Sequence, residues 1–228
     1  MYTEEENIKS WEKYAAPIFE TLEKESDRGS VLVGAAYLDN ILEKILKFRL
    51  NSKDDKTKIV DELFKFDSPL GSFSSKIKMS YCLELISKDA YCDFETIRKI
   101  RNACAHSSDN IFFGSKDVIQ YSVNLKGWEK SINTNTDEEK ETLKKLITSK
   151  SDSQDFLRFR EKTRFIMTLS YWFGYLMSWI EQIDKANELK AENKSLKEEL
   201  GRIVKKSIEL GLEIPDDVME SVKKYKLI

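Results

Sequence analysis

The chain has 228 residues, 40% hydrophobic and 11% aromatic, enough apolar material for one main domain with an appendage and too much for a disordered chain. Its formal net charge is -2 and its pI is near 5.8, so the molecule as a whole does not attract polyanions, and any nucleic-acid contact needs a local basic patch. With three prolines and eight glycines, and with apolar residues recurring at three and four spacing through charged stretches, the chain reads as all-α with almost no sheet.

The acidic start, Met1-Tyr2-Thr3-Glu4-Glu5-Glu6, lacks the basic-then-apolar order of a secretory signal, so the expected location is the cytoplasm. A first amphipathic helix is expected from about Glu5 to Lys24, with Trp11, Ala15, Ile18, Phe19 and Leu22 on one side and Pro17 kinking or ending its first half. Ser26-Asp27-Arg28-Gly29 opens the strongest helix, which continues through Val31, Leu32, Ala35, Leu38, Ile41, Leu42, Ile45 and Leu46. Asp27 reads as an N-cap with Arg28 at the surface, although both could instead line a cleft. Asp39 and Glu43, one turn apart, read as a solvated face.

A short helix ends near Phe66, Pro69-Leu70-Gly71 marks a turn, and another helix runs from about Phe73 to Ser87. The next spans Asp93 to about Ser107, with Asp93 as its cap and Phe94, Ile97, Ile100 and Cys104 as its apolar stripe. The segment from about 110 to 150 reads as an insertion, either a small hairpin around Ile111-Phe112-Phe113-Gly114 and Val118 to Val123 or a packed element. A long helix starts near Gln154 and carries aromatics from Phe156 to Trp179. Its most apolar part, Phe165 to Ile183, contains Glu181 and several polar residues, so it is expected in a core and not in a membrane.

The expected division is therefore a helical domain over residues 1–185 and a helical tail over 186–228. In the tail, Ala186, Leu189, Asn193, Leu196, Leu200 and Ile203 repeat with heptad spacing. This pattern fits either a dimeric coiled coil, with Asn193 fixing register, or a helix packed on its own domain. A protein partner on the 186–210 helix is a further possibility. A last short helix is expected after Pro215.

Chemistry concentrates in Arg101-Asn102-Ala103-Cys104-Ala105-His106, which holds the only histidine of the chain. Imidazole exchanges a proton near neutral pH, and guanidinium matches phosphate oxygens with a permanent charge, so Arg101, Asn102 and His106 form a candidate site for phosphodiester chemistry. Asn102 and His106 share a helix face, whereas Arg101 lies about 140° around from His106. The groups converge best when two copies meet across a two-fold axis, so a homodimer is expected. Arg28, Lys76, Arg98 and Lys99 are candidate substrate-binding cations, and Arg158, Arg160, Lys162 and Arg164 form another basic cluster for an RNA backbone. Cys82, Cys92 and Cys104 show no CxxC spacing, so no zinc site is expected, and no cofactor motif such as GxGxxG or a P-loop occurs.

The Arg-x4-His spacing of Arg101 and His106 resembles the signature of the HEPN superfamily of small helical proteins. That resemblance implies a metal-independent endoribonuclease or RNA-binding effector, with Arg101 holding the scissile phosphate, His106 as general acid or base and Asn102 orienting it. Stress response, toxin–antitoxin function or phage defence would be its setting. A wider resemblance covers Glu25 to Asp39, Pro69 to Ile77 and Ile97 to Asn102, three blocks similar to the mannitol operon repressor family. It implies a transcriptional regulator or adaptor working through protein contacts, since no helix-turn-helix with a basic recognition helix is evident. The segment after Asn110 and the heptad tail lie outside the recognised blocks.

Overall fold

The computed structural model describes residues 11–51, 57–106, 112–132, 137–149 and 153–224. Among them every regular element is helical, so the chain is all-α. A π-helical turn, Trp11–Ala15, leads into α1, Ala16–Lys24. Pro17 falls in the first turn of α1, directly after the π-helical turn, and Ala15 before it is itself in the right-handed helical region, so helical backbone runs unbroken from Trp11 to Lys24 and changes type beside the proline. The expected stretch from Glu5 to Ser10 lies outside the described residues.

Helix α2, Asp27–Leu50, is the spine. Its N-cap is Ser26, whose hydroxyl accepts the Gly29 N–H at 3.0 Å. Asp27 is thus inside the helix and buried, a correction to its expected capping role. Val31, Ala35, Leu38, Leu42 and Ile45 form the buried stripe. Then come α3, Thr57–Leu63, and α4, Phe73–Cys82. Leu46, Val60, Phe64 and Leu70 pack together beneath the turn that joins them. A Cβ at Gly71 would collide with the Lys65 carbonyl oxygen, which fixes glycine there.

Helix α4 stops earlier than its expected end near Ser87, and Glu84 adopts φ 57° in the bend that follows. Helix α5, Lys88–His106, in turn begins before Asp93, with the Ser87 hydroxyl accepting the Ala90 N–H at 3.2 Å as its cap. Asp93 is therefore mid-helix. Its side chain accepts from Lys126 N, Gly127 N and Trp172 Nε1 at 3.0, 2.8 and 2.7 Å, three donors distant in sequence that explain an acid in a core helix.

No hairpin forms in the described part of 110–150. Three short helices occupy it instead: α6, Lys116–Ser122; α7, Gly127–Ile132; and α8, Asp137–Thr148. Asp93 supplies acceptors for the start of α7, which a hairpin would not need. Trp128, Ile132, Ile147 and Met167 form the cluster that seats these helices. Expected hairpin residue Ile111 lies outside the described residues.

Helix α9, Gln154–Glu209, is 56 residues long, and α10 is Asp216–Lys224. Contacts divide the chain into two units, Met1–Ser178 and Trp179–Ile228. Within the first unit, Phe165, Ile166, Leu169, Trp172 and Leu176 are buried as the aromatic pattern predicts. A Cβ at Gly34 would strike the Leu169 side chain, so that glycine lets α2 and the first half of α9 approach closely. Within the second unit, α9 ends in a Schellman motif. Gly211 takes φ 68°, Leu212 N–H bonds Ser207 O at 3.0 Å and Gly211 N–H bonds Ile208 O at 3.0 Å.

Candidate functional site

The candidate hexapeptide forms the last turns of α5. The apolar stripe of this helix turns Ile97, Ile100 and Cys104 inward, which leaves Arg101 on the exposed side. The Arg101 guanidinium donates to the Asn102 side-chain oxygen at 3.2 Å, and no carboxylate among the described residues pairs with it. His106 is the final residue of α5, and its side chain lies outside the described residues.

The start of α2 approaches this end of α5. Burial pushes the Cys104 thiol above its ordinary value, while Arg28 opposes that rise and Asp27 adds to it, so both α2 residues lie within electrostatic reach of the turn that carries Arg101. Asp27 then ties three distant parts of the chain together. It accepts the Phe113 N–H at 3.1 Å and takes two bonds from Arg158, at 2.7 and 3.1 Å. Arg28 itself is exposed. Sequence reasoning chose Arg28 and Arg101 but missed Arg158 as the partner of Asp27, because a contact across 131 positions leaves no local pattern.

The other expected cations go elsewhere. Lys76, expected to bind substrate, is only 4% exposed, and its ammonium lies 3.0 Å from Asp39 and 2.8 Å from Glu43. That contact also corrects the expected solvated face on α2: the two acids face α4 because a buried ammonium requires partners. Glu43 is held below its ordinary value. Burial raises it, but hydrogen bonds and charge from Lys76 and Lys47 outweigh that effect. Arg98 pairs with Glu95 at 2.8 Å, and Lys99 is exposed on the same helix.

The run Arg158, Arg160, Lys162, Arg164 does not form an open basic strip. Arg160 and Arg164 both bond the buried Glu161, at 2.8 and 2.6 Å, and Lys162 donates to the Glu23 and Glu25 carbonyls at 3.1 and 2.6 Å. Arg160 and Arg164 also donate to the Ser149 and Ile147 carbonyls at 2.9 and 3.0 Å, so each of these cations fastens α9 to another part of the first unit. Of the expected set, Arg28, Lys99, Arg101 and Arg158 are exposed, and Arg158 is held by Asp27.

The helix pair α6–α7 has the short connection of a helix-turn-helix, yet its second helix buries Gly127, Trp128, Ser131 and Ile132. Such a helix has no face to offer a DNA groove. Elsewhere a concavity of about 590 Å³ is lined by Tyr81, Cys82, Leu85, Ser87 and Tyr175, with Tyr81 stacked on Tyr91 at 4.6 Å. Among the described residues no three His, Cys, Asp or Glu side chains gather as a metal-binding group, and no helix is long and apolar enough to cross a membrane.

With the fold in place, comparison with protein-family models matches the mannitol repressor model to residues 15–171. The chain belongs to the mannitol repressor family. The match runs from the end of the π-helical turn into the buried aromatic part of α9, and it contains both ends of the Asp27–Arg158 link. The matched range also encloses α6, α7 and α8. The heptad tail after Ala186 lies beyond it. No curated protein and no solved structure matches the chain in the corresponding comparisons.

Proposed function

We propose that this member of the mannitol repressor family lowers expression of a target operon by contacting another protein, without itself reading DNA sequence. The family name makes mannitol genes the first candidates. The observation that carries the proposal is the use of charge in the fold. Of the basic residues that composition offered for a polyanion, Lys76, Arg98, Arg158, Arg160 and Arg164 are bound internally by Asp27, Asp39, Glu43, Glu95 and Glu161, which leaves Arg28, Lys99 and Arg101 exposed, and the second helix of the α6–α7 pair is buried on four of its six residues. A net charge of -2 adds no long-range attraction for a duplex.

The test is fluorescence anisotropy of the full chain against duplex DNA from the candidate operon, near physiological salt, alongside transcript levels in a strain lacking the gene. The proposal predicts raised transcripts in that strain and no sequence-specific DNA binding by the pure protein. Sequence-specific binding in the nanomolar range would overturn it.

A second reading rests on one specific observation, the exposed Arg101 on the helix end that also carries Asn102 and His106. Here two copies build a HEPN-like site in which Arg101 binds the phosphate of an RNA and His106 moves the proton of the attacking 2′-hydroxyl. Incubation of single-stranded RNA with wild type, Arg101→Ala and His106→Ala in EDTA separates the two. Cleavage leaving a cyclic phosphate and lost in both variants supports the RNA reading, and intact RNA in all three rejects it.

A further inference from the structure

We propose that the 186–203 face of α9 is a dimerisation seam that pairs, in parallel, with the same face of a second copy. Leu189, Leu196 and Ile203 lie seven residues apart on one stripe and are 59%, 57% and 56% exposed, which is high for large aliphatic side chains. Burial in this unit falls on Gly201 and Val204, with Leu200 half-buried, so the seam is open from Ala186 through Leu196 and again at Ile203. The flanking charges and Asn193 identify the occupant.

With Ala186, Asn193 and Leu200 as a positions and Leu189, Leu196 and Ile203 as d positions, the g flank carries Glu192 and Glu199 and the e flank carries Lys190 and Lys197. A parallel pair sets g against e of the next heptad, so Glu192 of one copy meets Lys197 of the other, twice per dimer. An antiparallel pair sets g against g and e against e, which opposes glutamate to glutamate and lysine to lysine. A parallel pair also has one kind of like-charged contact, Lys185 with Lys190, likewise made twice, and Lys185 is already paired with Glu181 at 3.2 Å in its own helix. Asn193 adds the second argument. Its amide caps the Leu189 carbonyl at 2.8 Å on the exposed seam, and only parallel pairing places it opposite its own counterpart instead of a leucine.

The experiment is sedimentation equilibrium of the full chain, with circular dichroism to check that each variant remains helical. The expected results are a wild-type dimer, weakened about tenfold or more by Leu189→Asp with Leu196→Asp. Glu192→Lys alone weakens it, and combination with Lys197→Glu restores it. A monomeric wild type, or a dimer indifferent to the leucine changes, overturns the seam. Tighter association on Glu192→Lys overturns the parallel orientation, because it is the outcome of antiparallel pairing. Since none of these residues belongs to the α5 site, failure here leaves the functional proposal standing, and the reverse also holds.

Discussion

The Asp93 carboxylate accepts the indole N–H of Trp172 at 2.7 Å, joining the middle of α5 to the aromatic half of α9, while its two oxygens also receive the backbone N–H groups that open α7. One buried acid thus positions three elements.

Asp93→Ala leaves three buried donors without an acceptor, so it is expected to destabilise the first unit by about 3 kcal/mol, read as a lower urea midpoint. The pH dependence is a finer check. Burial pushes Asp93 above its ordinary carboxyl value of 3.8 despite the opposing hydrogen bonds. The folded state then holds this proton more tightly than the unfolded state, so the stability contributed by this group falls as pH rises from 3.8 through the raised value and is level beyond it. Asp93→Asn removes that slope. Its stability relative to wild type is expected to climb as pH is raised through this window.

Lys76→Met removes the cation between Asp39 and Glu43 and is expected to cost about 2 kcal/mol, less than a fully buried pair, because the two acids keep partial access to water. Glu43, whose carboxyl is held below its ordinary value, contributes stability that is present above pH 4.5 and lost as pH falls through the lowered folded value. Denaturation curves from neutral to acid pH should show that loss in wild type and a smaller one in Lys76→Met.

The Asp27 and Arg158 variants should differ in size. Asp27→Ala strands the Phe113 N–H and releases Arg158, an expected loss of about 2 to 3 kcal/mol. Arg158 is half-exposed, and Asp27 keeps the Phe113 N–H and a distant Lys162 in its absence, so Arg158→Ala should cost only about 1 kcal/mol. Equal losses would contradict the description of Asp27 as the hub.

How far the sequence foretold this architecture depends on the range of the forces involved. Helices α2 and α9 were legible because their stripes repeat locally, through Leu38, Leu42 and Ile45 and through Phe165, Leu169 and Trp172. The start of α5 was misplaced because Asp93 followed by an apolar run looks like a cap, whereas its partners come from Lys126, Gly127 and Trp172. Helices α6 and α7 have seven and six residues, too short for a periodic signal. At the site, the chemistry of Arg101 and Asn102 could be read directly. The engagement of Lys76 with Asp39 and Glu43 could not, because ion pairs across the fold are set by packing.

Cysteine reactivity tests burial at the site end of α5. Cys82 and Cys92 are exposed and Cys104 is buried, with its thiol pushed above the ordinary value by that burial. Iodoacetamide at neutral pH should label Cys82 and Cys92 on the native protein and spare Cys104 until denaturant is added. Early labelling of Cys104 in mass spectra would show that the α5 end is open.

The most direct test of the regulatory account is the genome-wide transcript profile of a strain lacking this gene, restored in parallel with wild type or with His106→Ala. The account predicts raised transcripts from one or a few operons in the deletion strain, returned to baseline by both versions, because repression through protein contact needs no imidazole chemistry. An unchanged profile on deletion, or a His106→Ala protein that folds and accumulates normally yet fails to restore repression, would contradict it.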